Sequence, residues 1–94
     1  MRRVEFHPQA REEFNAAVRF YEAQAHNLGR DFVFSVEHAS ARLIEFPGLG
    51  RPFGRRLRRL LVLRFPYGLL YGIEPERVFI VAVMHLHRRP GYWR

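Results

Sequence analysis

Gly68–His87 reads GLLYGIEPERVFIVAVMHLH, and this stretch decides the fold. Gly68–Ile73 is apolar or aromatic and has the length of a strand. Glu74-Pro75-Glu76 ends it as a tight turn, with Pro75 presetting φ. Arg77–His87 follows as a long strand that is apolar on both faces through its middle. Such a strand belongs inside a sheet rather than at its edge. Alternation puts Val78, Ile80, Ala82, Met84 and Leu86 on one face and Arg77, Phe79, Val81, Val83, His85 and His87 on the other. The wholly apolar set is expected to face a layer of helices, and His85 and His87 to face away from it.

Upstream, Arg64-Phe65-Pro66-Tyr67 reads as a turn and Arg55–Leu63 as another strand. Leu57, Leu61 and Leu63 share one of its faces; Arg56 and Arg58, with Leu60 and Val62, share the other. That arginine face is expected to lie next to His85 and His87. Arg3–Phe6 is a short strand in which Val4 and Phe6 alternate with polar neighbours. Helices fill the interval. Pro8 suits a first helical position, with His7 as a weak cap and Glu12 and Glu13 near the positive end of the dipole. Ala10, Phe14, Ala17, Val18, Tyr21 and Ala25 form one helical face. Asn27-Leu28-Gly29 reads as a stop, with Gly29 free to take positive φ. A second helix is expected from near Asp31, carrying Phe32, Val36, Ala39, Leu43 and Phe46 inward and ending at Pro47-Gly48. The order β-α-α-β-β-β implies an α+β fold, a helical hairpin packed on a mainly antiparallel twisted sheet. Phe14, Tyr21, Phe32 and Phe46 are read as core. Tyr67 and Tyr71 are read as packing residues with hydrogen-bonded hydroxyls.

Residues 1–94 make a single domain, 48% apolar and rich enough in Phe to close one core. Without cysteine there is no disulfide framework or thiolate chemistry, which fits a reducing cytoplasm. The longest apolar run, Val78–Met84, is far short of a membrane span. MRRVEF has no apolar stretch behind it and is not read as a signal peptide. Charge is uneven. Residues up to Phe46 hold six arginines against seven acids; those after it hold ten against two. A neutral scaffold thus carries a basic surface in its second half, suited to phosphate or to an acidic protein. Every basic charge outside histidine is an arginine, a permanent cation and a bidentate phosphate ligand. His85-x-His87 puts two imidazoles on one strand face, but few candidates could complete a metal site, and none is assigned. No cofactor is implied.

The motifs R-F-P-Y-G-L-L-Y at Arg64–Tyr71 and H-x-x-R-R-P-x-Y-W at His85–Trp93 are similar to those of the RelE/ParE superfamily of bacterial toxins. V-E-F-H-P-x-A-x-x-E-F-x-x-A-x-x-F-Y-E from Val4 to Glu22 resembles that family's first strand and helix. L-G-x-x-F at Leu28–Phe32 resembles the opening of its second helix. The resemblance spans nearly the whole chain. It implies the toxin half of a type II toxin–antitoxin pair, held in check by an acidic antitoxin that folds as it binds.

The superfamily acts in two ways. RelE-like members cleave mRNA on the ribosome; ParE-like members inhibit DNA gyrase. Metal-free RNA cleavage needs a base for the 2′-OH, cations for the phosphorane and an acid for the leaving oxygen. Arg58 and Arg64 offer charge, but arginine cannot be the base. His85, His87 and Tyr92 remain, so a ribonuclease reading assigns His85, Tyr92, Arg58 and Arg64. The lysine that RelE-like enzymes often carry on the second strand is missing. Gyrase inhibition needs only a rigid basic and aromatic surface, for which Arg55, Arg56, Arg58, Arg64, His87, Arg88, Arg89 and Trp93 are the candidates. The helical hairpin, the F-P-Y turn and a last strand ending in His85 with Arg88 soon after look more like the ParE branch. An inactive nucleic-acid-binding relative is the third reading.

Overall fold

The structure, a computed structural model, describes residues 2–87. Its elements are β1 (Arg3–Phe6), α1 (Pro8–Gln24), α2 (Leu28–Glu45), a 3-10 turn at Pro47–Leu49, β2 (Arg51–Phe53), β3 (Leu57–Leu61), β4 (Tyr67–Ile73) and β5 (Arg77–His85). The five strands form one sheet in the order β1-β5-β4-β3-β2. β1 runs parallel to β5; the other pairs are antiparallel. The apolar β5 is therefore interior, as its composition requires. The helical hairpin covers one sheet face. It buries Ala10, Phe14, Ala17, Phe32, Val36, Ala39 and Leu43 against Tyr67, Leu69, Tyr71, Val78, Ile80 and Val83. The aromatic centre is close-packed: Tyr21 lies 4.8 Å from Phe65 and Phe32 lies 5.1 Å from both Phe65 and Tyr67, ring to ring. Such edge-to-face pairs add about 0.5–1.5 kcal/mol beyond area burial.

Helix ends follow local chemistry. His7 Nδ1 accepts the Gln9 N–H at 3.0 Å, with Pro8 in the first turn. Glu12 and Glu13 fall in the second turn rather than the first. The turn between the helices differs from its sequence reading. Asn27, not Gly29, takes the left-handed conformation, at φ 67°. Asn tolerates it because its short polar side chain carries little steric penalty there. Gly29 is buried in the first turn of α2. It is needed for closeness: a Cβ there would sit 2.7 Å from the Val18 carbonyl oxygen of α1. Its N–H donates to Glu22 Oε1 at 3.0 Å, and the Asn27 N–H donates to Glu22 Oε2 at 3.1 Å, so one carboxylate ties both helices together. Phe46, read as core, is 57% exposed, because the helix ends at Glu45 and the chain turns out into Pro47.

The expected Arg55–Leu63 strand is present but shorter, as β3, and a further strand, β2, precedes it, joined to it by Gly54-Arg55-Arg56 with Gly54 at φ 72°. β2 was hidden by Pro52, which lacks an N–H and suits only an edge strand. Leu61 and Leu63 are more than half exposed, whereas Leu60 packs under the helices.

The largest departure lies in β5. Leu70 pairs with Ala82, but Tyr71 pairs with Ile80, so Val81 is an extra, bulged residue. A bulge reverses the alternation beyond it. Val78 and Ile80 face the helices as expected, but Val83 then takes that face. Ala82 and Met84 turn to the other side, where they cluster with Leu70, Phe53 and Leu57. His85 is thereby carried to the helical side. The expectation that it faces away from the helices is overturned, and so is that for Arg58, which stands opposite Tyr71 on the helical side, further along β4.

Candidate functional site

The bulge and the shortness of β1 together make a cleft. β1 stops at Phe6, opposite Ile80, so the last residues of β5 run on without a strand on that flank. The first half of α1 lies beside them, and Glu13 Oε1 accepts the Val83 N–H at 2.9 Å in place of a ladder bond. The open cleft of about 610 Å³ that results is lined by Glu12, Glu13, Phe20, Tyr67, His85 and His87, among others. Ala16 and Ala17 of α1 also line it. Phe20 at its rim is 56% exposed.

His85 lines this cleft. Its ring meets Tyr67 edge-on at 5.0 Å and lies 5.4 Å from His87. His85 Nδ1 accepts the His87 backbone N–H at 3.1 Å. In neutral imidazole only one nitrogen carries a lone pair in the ring plane. Here that nitrogen is Nδ1, and a main-chain amide already occupies it. In the neutral ring the proton is then on Nε2, which is a donor. Among the described residues no three His, Cys, Asp or Glu side chains stand close enough to bind a metal together.

The arginines lie elsewhere and serve different ends. Arg58 pairs with Tyr71, whereas His85 pairs with Tyr67. Four residues of β4, roughly 13 Å at about 3.3 Å each, separate the two positions along the strand. Arg58 Nη1 donates to the Gly50 and Gly48 carbonyls at 2.7 and 3.2 Å. Beside it the Tyr71 hydroxyl donates to the Pro47 carbonyl at 2.7 Å and accepts the Gly50 N–H at 2.8 Å. Burial pushes the Tyr71 hydroxyl above the ordinary phenol range, so it stays a donor. Arg58 and Tyr71 thus lock the corner between α2 and β2. Arg64 sits in the turn before β4 with φ 73°, reaches Asp31 at 3.7 Å and remains largely exposed. Arg55 and Arg56 are exposed at the β2–β3 turn, and His87 is exposed beside the cleft. Arg88, Arg89, Tyr92 and Trp93 lie outside the described residues.

The structure thus brings His85 and His87 together and separates them from Arg55, Arg56 and Arg58. It adds Glu12, Glu13 and Phe20, which sequence reading had not connected with the histidines. Only knowledge of the bulge would have placed them, and an unbroken apolar run carries no mark of one.

A helical hairpin on this five-stranded sheet is the architecture of RelE/ParE-type toxins. The chain superposes on a chain described as "Chromosomal ParDE TA system from P. aeruginosa" with TM-score 0.80. The match has 16% identity and covers 93% of this chain and 98% of that one, and it shows a shared fold. Within that class the assignment is sharper. The family described as ParE toxin of type II toxin-antitoxin system, parDE, matches residues 4–90, and the chain belongs to it. No curated protein matches the chain.

Proposed function

We propose that this ParE-family toxin arrests growth by binding DNA gyrase, without cleaving a substrate, and that an acidic antitoxin encoded beside it neutralises it. One observation carries the choice between mechanisms. The basic nitrogen of His85 is engaged by the His87 amide, and Arg58 is engaged by the Gly48 and Gly50 carbonyls. A ribonuclease centre needs a base and a cation around one phosphate. In this arrangement they stand apart, and each already makes a hydrogen bond within the fold. A binding-type inhibitor needs neither. It needs a rigid frame and a charged surface, which the locked corner and the exposed arginines supply. An acidic partner would also gain association rate from the net charge of +7.

No helix among the described residues is long and apolar enough to cross a membrane. The test is expression without the neighbouring gene, with a DNA-damage reporter and transcript integrity read together. The gyrase reading expects reporter induction with intact transcripts. Transcripts cut at codon boundaries, with a silent reporter, would replace it with the ribonuclease reading.

A further inference from the structure

Two cross-strand arginine pairs in this sheet are treated in opposite ways. Arg3 stands opposite Arg77 where β1 meets β5. That pair is relieved: Glu5 contacts both, at 2.9 Å from Arg77 Nη1, and Glu74 Oε1 lies 2.6 Å from Arg77 Nε. Arg51 stands opposite Arg59 where β2 meets β3. Like charges directly opposite are destabilising. Here none of the ion pairs among the described residues involves Arg51, Arg55, Arg56 or Arg59. The sequence offers no local relief either, since no acid occurs between Glu45 and Glu74. Arg59 is also held in place. Its stem crosses Gly68, where a Cβ would lie 3.0 Å from its Cγ, and its guanidinium lies 5.5 Å from the Phe53 ring centroid.

We infer that the β2–β3 hairpin is a binding element for the phosphate backbone of duplex DNA, through Arg51, Arg55, Arg56 and Arg59. Two arginines lie on its strands and two at its turn, at the free edge of the sheet. A two-stranded β-ribbon is admitted by the major groove of B-form DNA. The deep, narrow major groove of A-form RNA is closed to it. Phosphates would supply the counter-charge that Arg51 and Arg59 lack within the fold. Arg58, on the opposite face and bonded to carbonyls, is not part of the element. The inference concerns DNA alone and stands whether or not gyrase is the target.

The experiment is fluorescence anisotropy of a labelled 20-base-pair duplex against the purified full chain, as salt is varied. The compared variants are R51Q/R55Q/R56Q and R19Q/R30Q/R42Q. All six substituted side chains are exposed. The second variant removes the same charge from the helices, and circular dichroism confirms both folds. The hairpin variant is expected to lose about tenfold or more in affinity at 50 mM salt. Its log–log salt slope should shrink by about 2–3, one phosphate contact per arginine. The helix variant should stay within about threefold of wild type, and an RNA duplex of the same sequence should compete several-fold less well. Equal losses in the two variants, a hairpin variant within twofold of wild type, or equal competition by RNA would overturn the inference. So would a hairpin variant that keeps its DNA affinity but loses an acidic antitoxin, which would make the element a protein contact.

Discussion

The Tyr71 hydroxyl joins the Gly50 amide at 2.8 Å and, through Pro47, closes the corner where α2 gives way to β2. Tyr71 itself is fully buried in the centre of the sheet. Removing the hydroxyl leaves the Gly50 N–H and the Pro47 carbonyl without this partner. Tyr71→Phe is expected to cost about 1–3 kcal/mol in urea unfolding, the penalty for unsatisfied buried groups. Gly50→Ala should cost at least as much. The added methyl would sit 2.7 Å from the Tyr71 oxygen and 2.8 Å from the Arg59 carbonyl oxygen. If both variants unfold with the wild-type midpoint, the corner contributes nothing.

The helical hairpin offers a paired test of why Asn27 and Gly29 stand where they do. Gly29→Ala pushes a methyl against the Val18 carbonyl and is expected to destabilise by about 1–3 kcal/mol. Asn27→Gly relaxes a left-handed residue and should be neutral or slightly stabilising. Opposite signs in thermal unfolding would support the assignment. Equal losses would return the left-handed role to Gly29.

Acid sensitivity should trace to the β1–β5 seam. Hydrogen bonds from Arg77, then Arg3, hold the Glu5 carboxyl below the usual glutamate range. A carboxyl depressed in the folded state adds stability above its unfolded pKa, about 4.3, and loses it as pH falls through the lower folded value. Stability of the wild type should therefore drop below pH about 4 more steeply than that of Glu5→Gln. Glu5 is exposed enough that added salt should blunt the difference. Identical acid limbs for the two proteins would remove Glu5 from the account.

Much of this was legible in the chain. The interior position of β5 follows from Arg77–His85 being apolar on both faces, and both helices follow from their 3-4 spacing. Three features were not legible, each for a physical reason. β1 pairing with β5 is a contact between chain ends that no local pattern encodes. β2 is three residues long and contains Pro52, so it has neither the length nor the donor of an ordinary strand. The Val81 bulge lies in FIVAVM, where every residue is apolar and a slip of one position costs no polarity contrast. That slip moved His85 across the sheet, and with it the candidate site. The arginines were counted correctly from sequence, but Arg58 could not be told from Arg59 without knowing which faces the Gly48–Gly50 carbonyls.

The histidine site separates the two mechanisms by mutation. If the toxin acts by binding gyrase, His85→Ala should not abolish growth arrest, because no proton is transferred, and Tyr92→Phe should leave it intact. A ribonuclease would lose activity strongly in either variant, typically 10²–10⁴-fold for a general acid or base. Growth arrest titrated by inducible expression, with protein levels checked, reads the difference. Loss of toxicity in both variants at wild-type abundance would favour catalysis.

The most direct measurement is gyrase supercoiling of relaxed plasmid with the purified toxin titrated in, and ribosome-bound mRNA incubated in parallel. The account predicts dose-dependent loss of supercoiling, reversed by the antitoxin, with the mRNA left whole. Full supercoiling at saturating toxin, alongside cleaved mRNA, would contradict it.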